Sequence, residues 1–411
     1  MNAPAHISAA ASWRSDFPAL QQEVHGQPLT YLDSAASAQQ PASVIDAIAK
    51  YEREDHANVH RGVHTLSHRA TEAYEGSRDK IRDFINARSR NEIVLTSGTT
   101  ESINLVAQSF CRPRLQPGDK IVITHLEHHA NIVPWQLVCE QTGAELAVAP
   151  INERGEVELE EMLDLIDDKT FLVGVAHVSN ALGTVCPIAR IIEHARARGI
   201  PVLIDGAQGV PHLDVDVQAL GCDFYAFSGH KMFGPTGTGV LWGREELLDA
   251  KPPWQGGGDM ILEVSFDKTV YNELPYKFEA GTPNIAGVVG LGAAVDYLQA
   301  IGMQHIADYE HDLHDYMVGE LKKVDGIRLI GEAREQASVQ SFLVDDIHSH
   351  DLGTILDHQG VAIRTGHHCA MPVMQYFGIS GTARASLAFY NNRDDVDRLV
   401  AALGKAREIF G

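Results

Sequence analysis

Between about residues 92 and 244, short runs of apolar and β-branched residues alternate with stretches of helical periodicity. The runs 92–96, 120–126, 145–150, 171–178, 201–205, 224–228 and 239–242 predict strands. Residues 102–111, 158–166 and 188–198 have helical length and spacing. This alternation predicts an α/β fold with a mostly parallel central sheet flanked by helices. Ligands of such sheets sit beyond the carboxyl ends of the strands.

The pattern changes after residue 285. A helical stretch runs to residue 321, with Gly302 as a break. Predicted strands 339–344, 361–364 and 384–390 then interleave with helices 350–358 and 394–410. These predict a smaller α/β domain. The expected division is an N-terminal arm over residues 1–20, a large domain over 21–300 and a small C-terminal domain over 301–411. Residues 1–15 are Ala-rich, lack the layout of a signal peptide and read as a loose arm.

Composition narrows the function classes. The 411 residues carry 33 basic and 55 acidic side chains, a net charge of −22, which disfavours nucleic acid held through phosphate contacts. No apolar run approaches the roughly 20 residues that span a bilayer. Cys111, Cys139, Cys186, Cys222 and Cys369 form no Cys-x-x-Cys pair or metal spacing, and a reducing, cytoplasmic compartment is expected.

The candidate chemistry falls at predicted strand ends. Ser97-Gly98-Thr99-Thr100-Glu101 follows a strand and opens a helix, a setting for a phosphate or for a plain helix cap. Asp205 ends an apolar strand ahead of Gly206-Ala207-Gln208. Its carboxylate needs a partner there, either a protonated pyridine nitrogen or the N–H groups of a following turn. One strand later comes Ser228-Gly229-His230-Lys231. A lysine at the end of a buried strand is poorly hydrated, which lowers its pKa and makes the amine nucleophilic toward an aldehyde. His125, His128 and His129 do not match a zinc spacing, so no metal is expected. Cys369 lies in Arg364-Thr365-Gly366-His367-His368-Cys369-Ala370, a loop with cationic neighbours that favour a thiolate. The other four cysteines have the settings of small apolar residues.

Together the segments Asp205-Gly206-Ala207-Gln208 and Ser228-Gly229-His230-Lys231 resemble the class-V branch of fold-type I pyridoxal-phosphate (PLP) transferases. The Arg364–Ala370 pattern resembles the group II cysteine desulfurases, the SufS and CsdA type. The resemblance covers nearly the whole chain, from Tyr31-Leu32-Asp33-Ser34-Ala35-Ala36 and Asn58-Val59-His60-Arg61-Gly62 to Glu279-Ala280-Gly281-Thr282-Pro283-Asn284 and Arg384-Ala385-Ser386.

It implies that Lys231 binds the PLP aldehyde and that Asp205 pairs with the ring nitrogen. Gln208 reaches the ring hydroxyl, His128 stacks on the ring, and Thr99, Thr100, Ser228 and His230 hold the phosphate. Thr282 comes to that phosphate from a neighbouring subunit. Asn180, Arg364, Arg384, His60 and Ala35 are the implied substrate contacts. Lys231, Cys369 and His128 are the implied catalytic groups, with His128 a candidate proton donor. L-Cysteine is converted to alanine while its sulfur passes to Cys369 as a persulfide. A homodimer, a SufE- or SufU-type acceptor protein and iron–sulfur cluster assembly are further implications. Three rival readings are a selenocysteine lyase, a class-V aminotransferase and a catalytically silent scaffold for sulfur trafficking.

Overall fold

The seven apolar runs become one seven-stranded sheet in the computed structural model, which describes residues 13–410. Its strands are β1 (Ile93–Thr96), β2 (Lys120–Thr124), β3 (Glu145–Ala149), β4 (Thr170–Ala176), β5 (Val202–Asp205), β6 (Phe224–Ser228) and β7 (Gly239–Gly243). Their spatial order is β1-β7-β6-β5-β4-β2-β3. Strands β2 to β6 pair in parallel, whereas β7 runs antiparallel to both of its neighbours. Every residue of β5, β6 and β7 is buried, which explains why these strands read as continuous apolar runs.

Helices Leu159–Leu165 and Ile188–Arg196 lie where periodicity placed them. The helix expected over 102–111 starts earlier, at Thr99, and continues as a wider π-type segment over Val106–Cys111. Three other helices pack closely beside one another: α1 (Ala42–Lys50), α2 (Thr65–Phe84) and α3 (Ile285–Ile301). A Cβ at Gly290 would meet Ile48 Cδ1 at 2.7 Å, and one at Gly292 would meet Ser77 Oγ at 2.4 Å. Glycine at both positions therefore lets the helices approach. At Gly302 the chain bends by 75° into α4 (Met303–Leu321).

Beyond α4 lies an antiparallel sheet of β8 (Ile327–Ile330), β9 (Val339–Val344), β10 (Arg364–Gly366) and β11 (Thr382–Ser386), in the order β8-β9-β11-β10. Helices α5 (Ser349–His358) and α6 (Arg393–Phe410) accompany it. The strand expected over 361–364 divides in two. Val361–Ala362 pairs with Thr30–Tyr31 near the N-terminus, and only from Arg364 does the chain join the four-stranded sheet. The strand expected over 384–390 instead starts at Thr382 and ends at Ser386.

The arm expected over residues 1–20 is packed from Trp13 onward; residues 1–12 lie outside the described residues. Phe17 is fully buried, its ring 4.8 Å from that of Tyr390 and 6.1 Å from that of Phe233. Arg14 pairs with the buried Asp395 at 3.0 Å. Aromatic burial thus holds residues 13–20 against the rest of the chain. Among the described residues, no single helix is long and apolar enough to cross a membrane.

Candidate active site

Five strand ends converge on one cavity of about 260 Å³. After β1 the chain supplies Thr99 and Thr100; after β2, His128; after β4, Val178 and Asn180. Asp205 closes β5 and is followed by Gln208, while Ser228 closes β6 and is followed by His230 and Lys231. Ala35 from the N-terminal segment and Arg364, His368, Cys369 and Arg384 from the C-terminal region complete the lining.

Asp205 and Arg384 are buried in the lining of this cavity, and Lys231 is half-buried beside them. Burial lowers the Lys231 pKa to about 8, although the Asp205 carboxylate pulls it the other way. Burial likewise raises the Asp205 pKa, against the opposing effects of the Ala207 N–H, which donates to Oδ1 at 3.0 Å, and of Lys231. Gln208 donates from Nε2 to the Ala35 carbonyl at 2.7 Å, and its buried Oε1 has no protein partner. Ser228 Oγ accepts from the Thr99 N–H at 2.8 Å and lies 2.7 Å from Thr99 Oγ1. The ends of β1 and β6 are thereby tied together.

His128 is held neutral, its pKa lowered to about 3 chiefly by burial and further by Lys231. The Ala130 N–H donates to its Nδ1 at 3.0 Å, so the neutral ring carries its proton on Nε2. Beneath it, the buried Glu127 accepts from Thr124 Oγ1 at 2.5 Å, Asn131 Nδ2 at 2.6 Å and the Ala176 N–H at 3.1 Å. Burial raises the Glu127 pKa to about 7 despite these three donors.

Cys369 is the exposed member of the five cysteines; the other four are buried. Burial pushes the Cys139 thiol up to about 11 and raises those of Cys111, Cys186 and Cys222 as well. The negative charge of Cys369, when ionised, acts on Lys231, Arg364 and Arg384. His368 and Cys369 have φ of 52° and 54°, a left-handed pair of non-glycine residues. The two arginines share one acid: Arg384 Nη2 donates to Asp33 Oδ1 at 3.1 Å, and Arg364 Nε reaches both Asp33 oxygens at 3.1 Å. Arg384 also donates from Nη1 to the Asn180 carbonyl at 2.9 Å, while its buried Nε has no partner. Burial lowers the Arg384 pKa to about 10. Asn180 donates from Nδ2 to the His368 carbonyl at 2.6 Å, and so holds the cysteine loop.

Comparison with known proteins now decides the family. The aminotransferase class-V family matches residues 30–399. The chain belongs to the class-V aminotransferase family. Within this family, a cysteine desulfurase of Cronobacter sakazakii is 53% identical over 97% of this chain and 98% of its own. The structure of the cysteine desulfurase CsdA from Escherichia coli, in an S-sulfonic acid form, superposes with a TM-score of 0.91. It is 42% identical and covers 98% of this chain and 99% of that one. An apo cysteine desulfurase from Thermococcus onnurineus also gives 0.91, at 38% identity, covering 99% and 98%.

Class-V enzymes use PLP, and the residues of this cavity fit that group. A buried carboxylate awaits a cationic partner, and a desolvated lysine offers a nucleophilic amine. The unpaired Gln208 Oε1 and Arg384 Nε supply a polar acceptor and a donor that the protein itself leaves unused. Two expected residues lie elsewhere. His60 bonds Glu75 Oε1 at 2.9 Å and lines a second hollow with Tyr276 and Glu279. Thr282 is exposed beside that hollow. Its loop is anchored by the buried Arg78, which grips Glu279 with two N–H groups at 2.6 and 2.9 Å. Sequence reasoning missed Asp33, Glu127 and the loop contacts of His125 and His129. Their signals were at hand, since Asp33 and the Glu127-His128-His129 run stood in the motifs that drew attention.

Proposed function

We propose that this chain is a PLP-dependent cysteine desulfurase that converts L-cysteine to L-alanine and takes the sulfur onto Cys369 as a persulfide. The observation that carries this reading is the exposed Cys369 facing the cavity that also holds Lys231 and Asp205. An aminotransferase has no use for a nucleophilic thiol there. Pyridoxal phosphate, when bound, supplies an aldehyde that condenses with amines and a cationic ring that draws electrons from Cα.

The protein's residues do the rest. Lys231 would hold the aldehyde, and its Nζ, free when substrate is bound, would take the Cα proton. Asp205 would keep the ring nitrogen protonated, His128 would cover the ring face, and Gln208 would offer its unpaired Oε1 to the ring hydroxyl. Thr99, Thr100, Ser228 and His230 gather at the phosphate end. Arg384 binds the substrate carboxylate through the Nε that the protein leaves unpaired, and Asp33 fixes the guanidinium from behind. Arg364 and Ala35 border the same space. The Cys369 thiolate attacks the substrate sulfur, and an S–S bond forms as the Cβ–S bond breaks. Cβ, which keeps the electron pair of the broken bond, is protonated with His128 Nε2–H as the candidate donor, Lys231 Nζ returns its proton to Cα, and alanine departs.

The enzyme works as a homodimer in the cytoplasm. Support comes from Thr282 and His60, which lie outside the cavity of their own chain and so are available to a neighbour's. The persulfide passes to an acceptor protein of the SufE or SufU kind, for iron–sulfur cluster assembly. Incubation of the holoenzyme with L-cysteine and a reducing thiol tests the activity. Alanine should accumulate without any keto acid. Amino transfer that requires a keto acid, with no alanine from cysteine alone, would mean an aminotransferase.

A further inference from the structure

His129 stands next to the cofactor-facing His128 but points to a different task. Its main-chain N–H donates to the Cys369 carbonyl at 2.8 Å. Its side-chain Nε2 accepts from the Met371 N–H at 3.1 Å. One residue thus grips the cysteine loop on both sides of Ala370. Its ring lies 5.7 Å from that of His367 at a 33° tilt, and His367 Nδ1 accepts the Cys369 N–H at 3.1 Å. Nearby, His125 Nε2 lies 3.0 Å from the Pro372 carbonyl, and its ring contacts Tyr376.

The loop needs such a grip. His368 and Cys369 both occupy the left-handed backbone region, which residues with a Cβ adopt only when their surroundings enforce it. Local sequence supplies no glycine at either position. Within the loop, His367 accepts the Cys369 N–H at Nδ1 and the Ala370 N–H at its carbonyl; from outside come Asn180 on the His368 carbonyl, Thr382 Oγ1 at 2.8 Å from His368 Nε2, and His129 on either side of Ala370.

We infer that His129 is a positioning residue for sulfur transfer, its neutral Nε2 holding the strained Cys369 loop so that Sγ stays directed into the cavity. Burial lowers the His129 pKa, and the nearby His367 adds to the effect, in keeping with an imidazole that accepts rather than donates at Nε2. The neutral ring then carries its proton on Nδ1. His129 touches neither substrate nor cofactor in this scheme. It acts through the loop.

The inference rests on Cys369 being the sulfur acceptor, and the experiment separates the two claims. In His129→Leu holoenzyme, single-turnover persulfide formation on Cys369 should slow by roughly tenfold, the effect of losing one hydrogen bond that orients a nucleophile. KM for cysteine and the cofactor's absorbance should stay unchanged. His129→Gln, whose Oε1 can take the place of Nε2, should restore most of the rate. Alkylation of Cys369 by iodoacetamide, which requires no turnover, should quicken in His129→Leu and return toward wild type in His129→Gln. Wild-type rates of both persulfide formation and alkylation in His129→Leu would overturn the inference, as would equal defects in the Leu and Gln variants. Sulfur appearing on a Cys369→Ser variant would instead overturn the acceptor assignment, while the alkylation result would still report on the loop. Hydrogen exchange on the wild-type protein needs no variant: the Met371 amide should be protected, and exchange at the rate of a free amide would also overturn the inference.

Discussion

At the scale of single residues, the chemistry of this site is the chemistry of burial. Lys231 is half-buried in the cavity lining, where its ammonium is poorly hydrated, and its pKa falls from 10.5 to about 8. Aldehyde capture needs the neutral amine, so the sign is fixed. Covalent uptake of PLP by the apoenzyme should speed up as pH rises and level off above about 8. A rate that keeps climbing toward 10.5, the value of an exposed lysine, would contradict the burial argument. Residue identities at this scale were largely legible in the sequence, because Asp205 ends one apolar strand and Lys231 lies in the turn that follows another, where a charge is conspicuous. Their helpers were not. Asp33 could be known as the shared partner of Arg364 and Arg384 only once residues more than 300 positions apart were seen together.

Among elements, the buried strands were legible and the edges were not. β6 has an apolar or small side chain at every position and was placed to the residue. β8, with Arg328 among four residues, carries no period and went unseen. Residues 361–364 read as one strand, yet tertiary pairing divides them between two sheets. The cysteine loop was recognisable as a loop, but its left-handed turn depends in part on distant groups such as Asn180, which leave no local signal. The N-terminal segment shows the same dominance of packing over local composition. Phe17 fills a space among Phe233, Tyr297, Phe389 and Tyr390. Phe17→Ala should cost about 3–5 kcal/mol, the range for emptying a buried aromatic site. Urea unfolding measures it, and a loss under about 1 kcal/mol would show that residues near 17 are an arm after all.

For the whole molecule, the same burial sets the response to acid. His128 and His368 titrate at about 3 and His177, His230 and His314 at about 4, all lowered by burial from 6.5. These five groups are neutral in the fold but take up protons near 6.5 when unfolded. Their contribution is therefore complete above pH 6.5 and is lost as pH falls toward 4 and 3. Glu127, raised to about 7, acts in the opposite sense, as do Asp205, Asp223 and Asp395, whereas Glu75, lowered to about 2, and the lowered Glu156, Asp167 and Asp216 act with the imidazoles. The apoenzyme should have a lower urea midpoint at pH 5.5 than at pH 7.5. An equal or higher midpoint would mean that these imidazoles are more open to water than their surroundings imply.

The central claim is that Cys369 receives the sulfur of L-cysteine. Peptide mass spectrometry of the holoenzyme after one turnover, with alanine measured in the same sample, tests it directly. The account predicts one added sulfur on the peptide containing Cys369 and alanine in equal amount. Alanine formed with that peptide unchanged, or with sulfur on another cysteine, would contradict it.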